Sequence, residues 1–91
     1  MQQVHHNEER QRFEMETEGG LAVADYRQSG QTLTIYHTEV PFPLRGGGVG
    51  ERLVCGTLEE VRKLGMKVVP RCWFVREIMG RHPEYRDLLA A

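Results

Sequence analysis

The sequence has little of what marks secreted disulfide-rich domains and zinc domains. Cys55 and Cys72 are its two cysteines, and they do not form a CxxC pair, so neither a disulfide framework nor a zinc site is indicated. Both are expected to be free thiols. His5 and His6 are adjacent but lack a second cluster, and we interpret them as solvated terminal residues, with no metal site expected.

Long apolar runs and long basic runs are also missing. Residues 1–9 are polar and are expected to be flexible, and they contain no apolar stretch of the kind that a secretory signal requires. We therefore expect a cytoplasmic protein with no membrane partner. The formal net charge is −1, from 12 basic and 13 acidic residues, and no Lys/Arg stripe could follow a phosphate backbone, which argues against nucleic acid as a partner.

What remains is the composition of one globular domain over residues 1–91. Hydrophobic residues make up 40% of the chain and charged residues 27%, which is ordinary for a folded domain. A chain of 91 residues can form one modest core but no separate substrate domain. Any active site is therefore expected to be shallow or shared.

The first half of the chain predicts an antiparallel meander of three strands between residues 12 and 40. The alternating sets are Phe13, Met15 and Thr17, then Leu21, Val23 and Asp25, then Leu33, Ile35 and His37. Gly19-Gly20 and Ser29-Gly30 separate the runs, because glycine reaches the positive φ that tight hairpins need.

The second half predicts a strand-loop-helix-strand-helix unit. A series of apolar residues at three- and four-residue spacing predicts an amphipathic helix over roughly 48–64. Its members are Leu53, Val54, Leu58, Val61 and Leu64. Gly65 ends this helix, and residues 66–70 form a short strand that should run parallel to the strand before the loop.

The C-terminal segment is expected to complete the core. Residues 72–79 predict a second helix, which Gly80 and Pro83 break, and residues 84–89 a further turn or short helix that packs Tyr85 and Leu88. Trp73, Phe74 and Tyr85 are expected in the core, and Cys55 is expected to pack at the edge of the first helix.

The loop Arg45-Gly46-Gly47-Gly48-Val49-Gly50 is the main candidate binding site. A glycine-rich loop that opens a helix exposes backbone N–H groups at the positive end of the helix dipole, which suits phosphate. The Gly-Lys-Ser/Thr ending of a P-loop is missing, and the loop follows an antiparallel meander instead of an initial βαβ unit. Neither a P-loop nor a dinucleotide-binding fold is therefore indicated.

This loop resembles the R/Q-x-x-G-x-G/A signature of the GNAT (GCN5-related) N-acetyltransferase superfamily. The flanking segments, residues 37–41 and 70–75, are similar to those of minimal GNAT-like proteins, and the resemblance extends from about Phe13 to Leu89. It implies an α/β (α+β) fold in which an antiparallel β-meander is followed by a β-loop-α-β-α unit. That fold is a truncated GNAT-like fold with splayed parallel strands.

The resemblance also implies that acetyl-CoA (coenzyme A) binds at this loop. Its diphosphate would lie on the amides from Gly46 to Glu51, and its pantetheine arm between the splayed strands, residues 34–40 and 66–70. The residues expected to bind this cofactor are Val40, Arg45, Gly46, Gly47, Gly48, Val49, Gly50 and Glu51. Ordinary GNAT enzymes carry helices after their first strand that shape the acceptor site, whereas this chain goes directly from strand to hairpin.

Three residues are candidate catalytic groups. Glu39 ends the strand on which the resemblance places a general base, and His37 shares its face by alternation. Cys72 is expected in the first turn of the last helix, where the dipole lowers a thiol pKa, so an acetyl-cysteine intermediate is conceivable. Alternatively, Glu39 and His37 are solvent-facing strand residues and Cys72 is a small buried hydrophobe. Tyr36 is a weaker candidate, as proton donor.

The sequence therefore indicates an acetyl-CoA-dependent N-acetyltransferase that acts on an amine acceptor, either a small molecule or a protein. One alternative is a non-catalytic module that binds CoA or acetyl-CoA and serves as a sensor or partner subunit. Another is a small α/β interaction domain without a ligand. The sequence identifies neither the acceptor nor the oligomeric state.

Overall fold

A computed structural model describes residues 3–41 and 46–90 and confirms the predicted mixed α/β class. The strands are β1 (Val4–Asn7), β2 (Arg12–Thr17), β3 (Gly20–Ser29), β4 (Thr32–Glu39) and β5 (Lys67–Pro70). The helices are α1 (Val49–Leu64), α2 (Trp73–Arg81) and a short 3-10 helix (Pro83–Leu88).

The strands form one mixed sheet in the order β1-β2-β3-β4-β5. β2, β3 and β4 are antiparallel neighbours, as the predicted three-stranded meander required, and β1, which was not predicted, adds a fourth antiparallel strand at the edge. β5 lies parallel to β4, with Thr32 opposite Lys67 and Ile35 opposite Pro70, and the prediction of parallel strands around α1 is confirmed. The crossover through α1 brings the chain back to the same sheet.

One face of the sheet packs against α1 and α2 and carries the core. The most deeply buried large side chains on the strands are Phe13, Met15, Tyr26, Leu33 and Ile35. They meet Leu53, Val54, Leu58 and Val61 from α1 and Val75 and Ile78 from α2. Tyr85 and Leu88 of the 3-10 helix are buried as predicted.

Glycines bound α1 at both ends, close to the predicted limits of 48–64. Gly48 is the N-cap residue with φ 84°, and Gly65 is the C-cap residue with φ 71°. The Gly65 N–H donates to the carbonyl oxygens of Arg62 and Val61, which satisfies groups that a helix end leaves open. Both positions lie in the left-handed region that favours glycine.

The prediction of a flexible segment over residues 1–9 needs correction, because Val4–Asn7 is an edge strand paired with β2. Val4 lies against Gly56 of α1, at a place where a Cβ on residue 56 would collide with the valine side chain. His6 was expected to be solvated but is half-buried and stacks on Phe13, with 4.4 Å between the ring centroids.

The C-terminal helix differs from its prediction in two respects. α2 continues through Gly80 and ends at Arg81, next to the residue before Pro83. An exposed glycine costs a helix only about 1 kcal/mol relative to alanine, and the burial of neighbouring Met79 opposes that cost. Trp73 was expected in the core but is 65% exposed.

The inward face of β3 also differs from the alternation set read from the sequence. Ala22, Ala24 and Tyr26 are buried, whereas Leu21 is 43% exposed and Val23 is half-buried. Leu21 and Val23 therefore point away from the core, although both are larger than the two buried alanines. Small alanines on the inner face leave room for the helix to approach the sheet.

Candidate active site

A cleft of about 1020 Å³ lies between the end of β4, the start of α1 and the first half of α2. It brings together most of the residues that the sequence singled out. These are His37, Glu39, Val40, Gly46, Gly48, Gly50, Glu51 and Cys72. Of the other predicted site residues, Val49 is buried in the core, Gly47 does not line the cleft, and Arg45 lies outside the described residues.

The start of α1 forms one wall of the cleft. Gly46 and Gly48 have φ values of 86° and 84°. The first hydrogen bond of the helix runs from the Arg52 N–H to the Gly48 carbonyl oxygen at 3.1 Å. The amides before Arg52 have no partner inside the helix, and within the described ranges no side chain caps them. The start of α1 therefore presents these backbone N–H groups to an anionic ligand.

Gly50 brings α1 close to α2 and to the residue after β4. A Cβ at this position would lie 2.9 Å from two ring atoms of Phe74 and 3.5 Å from a methyl group of Val40. Both neighbours line the cleft. The absence of a side chain at residue 50 thus sets the width of the cleft at the loop, independently of the backbone angles.

A β-bulge at Tyr36 interrupts the pairing of β4 with β3, one residue after the pairing of β4 with β5 ends. Tyr26 pairs with Ile35 and Asp25 pairs with His37, so Tyr36 is the extra residue in β4. Pairing with β5 ends at Ile35, whose carbonyl oxygen accepts the N–H groups of both Arg71 and Cys72 at 3.0 Å. Residues 67–70 pair fully with residues 32–35, so the expected splay does not begin before Tyr36. The rest of β4 continues beside the start of α2 without a β5 partner.

The bulge also determines which way the catalytic candidates point. Strand residues that pair directly share a face of the sheet, so His37 lies on the face of Asp25, and Glu39 on the face of Val23. That is the face opposite the core. The expectation that His37 and Glu39 share a face is confirmed, whereas the alternation that grouped His37 with Ile35 is interrupted by the bulge.

His37 and Glu39 form an exposed pair at the end of β4. The His37 Nε2 lies 3.4 Å from a Glu39 carboxylate oxygen, and their side chains are 51% and 62% exposed. An exposed carboxylate next to an imidazole can accept a proton directly or through water. The pair is therefore accessible to an acceptor molecule approaching from solvent.

Cys72 is the N-cap residue of α2, one position before the predicted first turn, and it lies beside Thr38 near the end of β4. Its Sγ lies 3.5 Å from the Thr38 hydroxyl. Burial raises the pKa of the Cys72 thiol, but the Thr38 hydroxyl and the backbone N–H groups of Val75 and Phe74 outweigh it, so the pKa lies below its ordinary value. A larger fraction of this thiol is therefore ionised at a given pH than of an ordinary cysteine.

Cys55 provides a contrast within the same chain. It borders the core on α1, and burial together with the Glu51 and Glu84 carboxylates raises its thiol pKa. A raised pKa disfavours the nucleophilic thiolate. The assignment of Cys55 to packing is consistent with this environment.

Glu51 belongs to a charged group that sequence reasoning missed. Its carboxylate oxygens lie 2.6 Å from His82 Nε2 and 3.8 Å from Arg81 Nη1, and both partners come from the end of α2. His82 stands 31 positions away along the chain. No local pattern could have linked the two residues.

Two exposed aromatic side chains also line the cleft: Trp73, which the sequence placed in the core, and Tyr36, which it indicated only as a weaker candidate proton donor. Trp73 is 65% exposed and makes an edge-to-face contact with Phe74, with centroids 5.9 Å apart. Tyr36 is 45% exposed, and the Arg27 guanidinium lies 5.1 Å from its ring centroid. The bulge that exposes Tyr36 has no clear signature in the sequence.

Among residues 3–41 and 46–90, no helix is both long and apolar enough to cross a membrane. The same part of the chain contains no cluster of three or more histidine, cysteine or acidic side chains arranged to hold a metal ion.

Comparison with known proteins agrees with this arrangement. The chain is 30% identical over 84 residues to Protein NATD1 of Gallus gallus, which covers 89% of this chain and 76% of that protein. It is 29% identical over 83 residues to Protein NATD1 of Homo sapiens, which covers 88% of this chain and 74% of that protein.

A solved structure has the same fold. The solution structure of a GCN5-like protein from Staphylococcus aureus superposes with a TM-score of 0.72 at 25% sequence identity, covering 98% of this chain and 88% of that one. The family model described as GCN5-related N-acetyl-transferase matches residues 12–88. This chain therefore belongs to the GCN5-related N-acetyltransferase family.

Proposed function

We propose that this chain is an acetyl-CoA-dependent N-acetyltransferase whose acceptor is a small-molecule or protein amine. One observation carries the proposal: a single cleft combines a glycine-rich helix start that no described side chain caps with the end of β4, beyond its pairing with β5. Membership of a family that generally uses acetyl-CoA supports the choice of donor.

The residues of the cleft fit such a donor. The amides at the start of α1, from Gly46 to Glu51, would hold its diphosphate, because they point out of the helix at its positive end. Val40 and Phe74 supply apolar surface beside Gly50, and both lie so close that a Cβ on residue 50 would contact them. The donor supplies an activated acetyl thioester, and the chain supplies the binding surface and the proton acceptors.

Two routes are open to the side chains. In the direct route Glu39 would accept the proton from the acceptor amine, with His37 as its neighbour, while the amine attacks the thioester carbonyl and the CoA thiolate leaves. In the covalent route the Cys72 thiolate attacks the thioester, the CoA thiolate leaves, and the amine then displaces Cys72 from the acetyl group. The lowered pKa of Cys72 and the position of its Sγ beside Thr38 at the cleft make the second route worth testing.

A non-catalytic CoA-binding module is the second candidate function, and the fold provides a specific reason for it. β1 leads into β2 through a turn, so within the described ranges no helix follows the first strand to cover His37 and Glu39. Both side chains are more than half exposed. A site of this openness could retain donor binding without efficient transfer.

An assay of CoA release from acetyl-CoA separates the two candidates. Free thiol would be measured with a panel of primary amines, and the acetylated amine would be identified by mass spectrometry. An amine-dependent rate that Glu39→Gln or Cys72→Ala lowers supports the enzyme. Tight donor binding with no release above the rate without protein, for any amine, supports the binding module and contradicts the enzyme.

A further inference from the structure

We infer that His82 is a positioning residue for the start of α1. It holds the Glu51 carboxylate away from the loop amides and, when protonated, offsets its charge, so that affinity for a diphosphate ligand falls as the pH rises. The inference rests on the proposed function, because the diphosphate is taken to bind at these amides. It adds a residue from the end of α2, distant in sequence, to the binding site.

The contacts of Glu51 define the arrangement. Glu51 is the third residue of α1, and its Oε2 accepts a hydrogen bond from His82 Nε2 at 2.6 Å. Arg81 Nη1 lies 3.8 Å from the other carboxylate oxygen. Both cationic partners lie at the C-terminal end of α2. The carboxylate is therefore directed toward α2.

An acidic residue at this position has a different partner in many helices. The third residue of a helix commonly reaches back to the backbone N–H of the N-cap residue, and its charge is attracted to the positive end of the helix. Here the N-cap residue is Gly48, and among the described residues no side chain caps it. By binding Glu51, His82 leaves those amides available to a ligand.

The charge of Glu51 gives His82 a second effect. A carboxylate in the first turn of α1 repels an anion held at the same helix end, and a cation bonded to that carboxylate reduces the repulsion. The hydrogen bond to Glu51 raises the pKa of His82 above its ordinary value, and a contact at 3.3 Å with Glu84 adds to it. The hydrogen bond from His82 lowers the pKa of Glu51.

Among the described groups around Glu51 and His82, His82 is the one whose charge changes near neutral pH, because its neighbours keep their charge states there. Arg81 stays charged, and it also pairs with Glu77 at 2.7 Å. Tyr85, whose ring centroid lies 6.1 Å from that of His82, has its pKa raised by burial. Burial likewise raises the pKa of Cys55, which senses the Glu51 and Glu84 carboxylates. Tyr85 and Cys55 remain neutral in this range.

The direction of the pH effect follows from these shifts. A histidine with a raised pKa in the folded state keeps its proton above ~6.5 and loses it as the pH rises further. Loss of the proton leaves Arg81 as the cation paired with Glu51 among the residues that the structure describes. Ligand affinity is therefore highest at the acidic end of the range and decreases through the pKa of His82 in the folded protein.

The test uses 3′-dephospho-CoA as the probe. A phosphate monoester titrates near pH ~6 and would add its own pH dependence, whereas the diphosphate of this probe carries no such proton. Dissociation constants would be measured calorimetrically on the full chain at about pH 6 and about pH 8.5, and the His82 pKa would be followed by NMR. For exposed charges of this kind the expected change is about two- to fivefold.

Three variants make the test specific. His82→Gln retains a hydrogen-bond donor without a charge, so the affinity should lose its pH dependence. Glu51→Gln removes the charge that His82 offsets and should also flatten the dependence, with tighter binding at the higher pH. His5→Gln is the matched control, because His5 lies exposed on the edge strand β1 away from the cleft, and it should behave as the wild type.

The outcomes separate the two levels of the account. A pH dependence that persists unchanged in folded His82→Gln or Glu51→Gln overturns the role of His82 and leaves the proposed function intact. If the wild type binds measurably and equally tightly at both pH values, the role of His82 is likewise overturned and the proposed function stands. No binding of 3′-dephospho-CoA or CoA to any variant at either pH contradicts the proposed function, and the role of His82 with it.

Discussion

Replacing Gly50 by valine should narrow the cleft where α1 approaches Phe74 and Val40. The new Cβ would lie 2.9 Å from two ring atoms of Phe74 and 3.5 Å from a methyl group of Val40. Carbon atoms pack best at about 3.5–4.0 Å, so the Phe74 ring or the start of α1 has to move by several tenths of an ångström. The two valine methyl groups then fill space between the loop and α2.

The cost to stability can be bounded. Overpacking of a well-filled site typically costs about 1–3 kcal/mol, and valine recovers about 0.3–0.5 kcal/mol over glycine in helix propensity. The expected net loss is about 0.5–2.5 kcal/mol. A domain stabilised by about 5–15 kcal/mol remains folded after such a loss.

The binding of CoA should weaken by more than tenfold in Gly50→Val, because the side chain occupies the approach to the loop amides. Urea denaturation would measure stability, and calorimetry would measure affinity. Gly80→Val is the control: residue 80 is also a glycine within a helix, but it is exposed and a Cβ there meets nothing within 4 Å. It should gain about 0.3–0.5 kcal/mol and bind CoA normally.

A folded Gly50→Val protein that binds CoA as tightly as Gly80→Val would refute this reasoning. The diphosphate would then lie elsewhere, and the contact of Gly50 with Phe74 would serve packing alone.

Three further predictions follow from side-chain environments. Iodoacetamide should label Cys72 faster than Cys55, because the thiol pKa is lowered at Cys72 and raised at Cys55. Mass spectrometry of the labelled peptides measures both rates, and equal rates contradict the prediction. Glu39→Gln should lower the transfer rate and flatten its decrease at acidic pH if Glu39 is the base; an unchanged pH–rate profile excludes that role. Within the described residues the buried Thr57 hydroxyl has no hydrogen-bond partner, so Thr57→Val should raise the free energy of unfolding by about 1 kcal/mol, and a loss in urea denaturation would indicate a hidden partner.

The elements with strong periodicity were predicted well from the sequence. α1 carries apolar residues at three- and four-residue spacing and ends at a glycine, and both limits agree with the structure within one residue. The parallel strand after it also agrees, because a short crossover leaves few other placements. These features depend on local patterns.

The errors arise where tertiary contacts override local patterns. β1 reads as a polar terminus, but Gly56 lets Val4 pack on α1 and so fixes the strand. β3 buries Ala22 and Ala24, and alanine gives a weak signal for an inner face. The bulge at Tyr36 shifts the phase of β4, and alternation alone could not reveal it.

The site was predictable in its loop and less so in its surroundings. The glycine-rich loop and Cys72 are visible as motifs, and the structure places Gly46, Gly50 and Cys72 around one cleft. The bond between His82 and Glu51 joins residues that are far apart in sequence, so it required the fold.

Backbone amide shifts during a CoA titration test the central claim most directly. With ¹⁵N-labelled protein, the account predicts that the amides of residues 46–51 shift in a saturable way, with smaller changes at Phe74 and Cys72 across the cleft. Amides of β1, on the far edge of the sheet, should stay unchanged. If the amides of residues 46–51 do not move at millimolar CoA while the protein remains folded, the start of α1 is not a binding site and the proposed function is wrong.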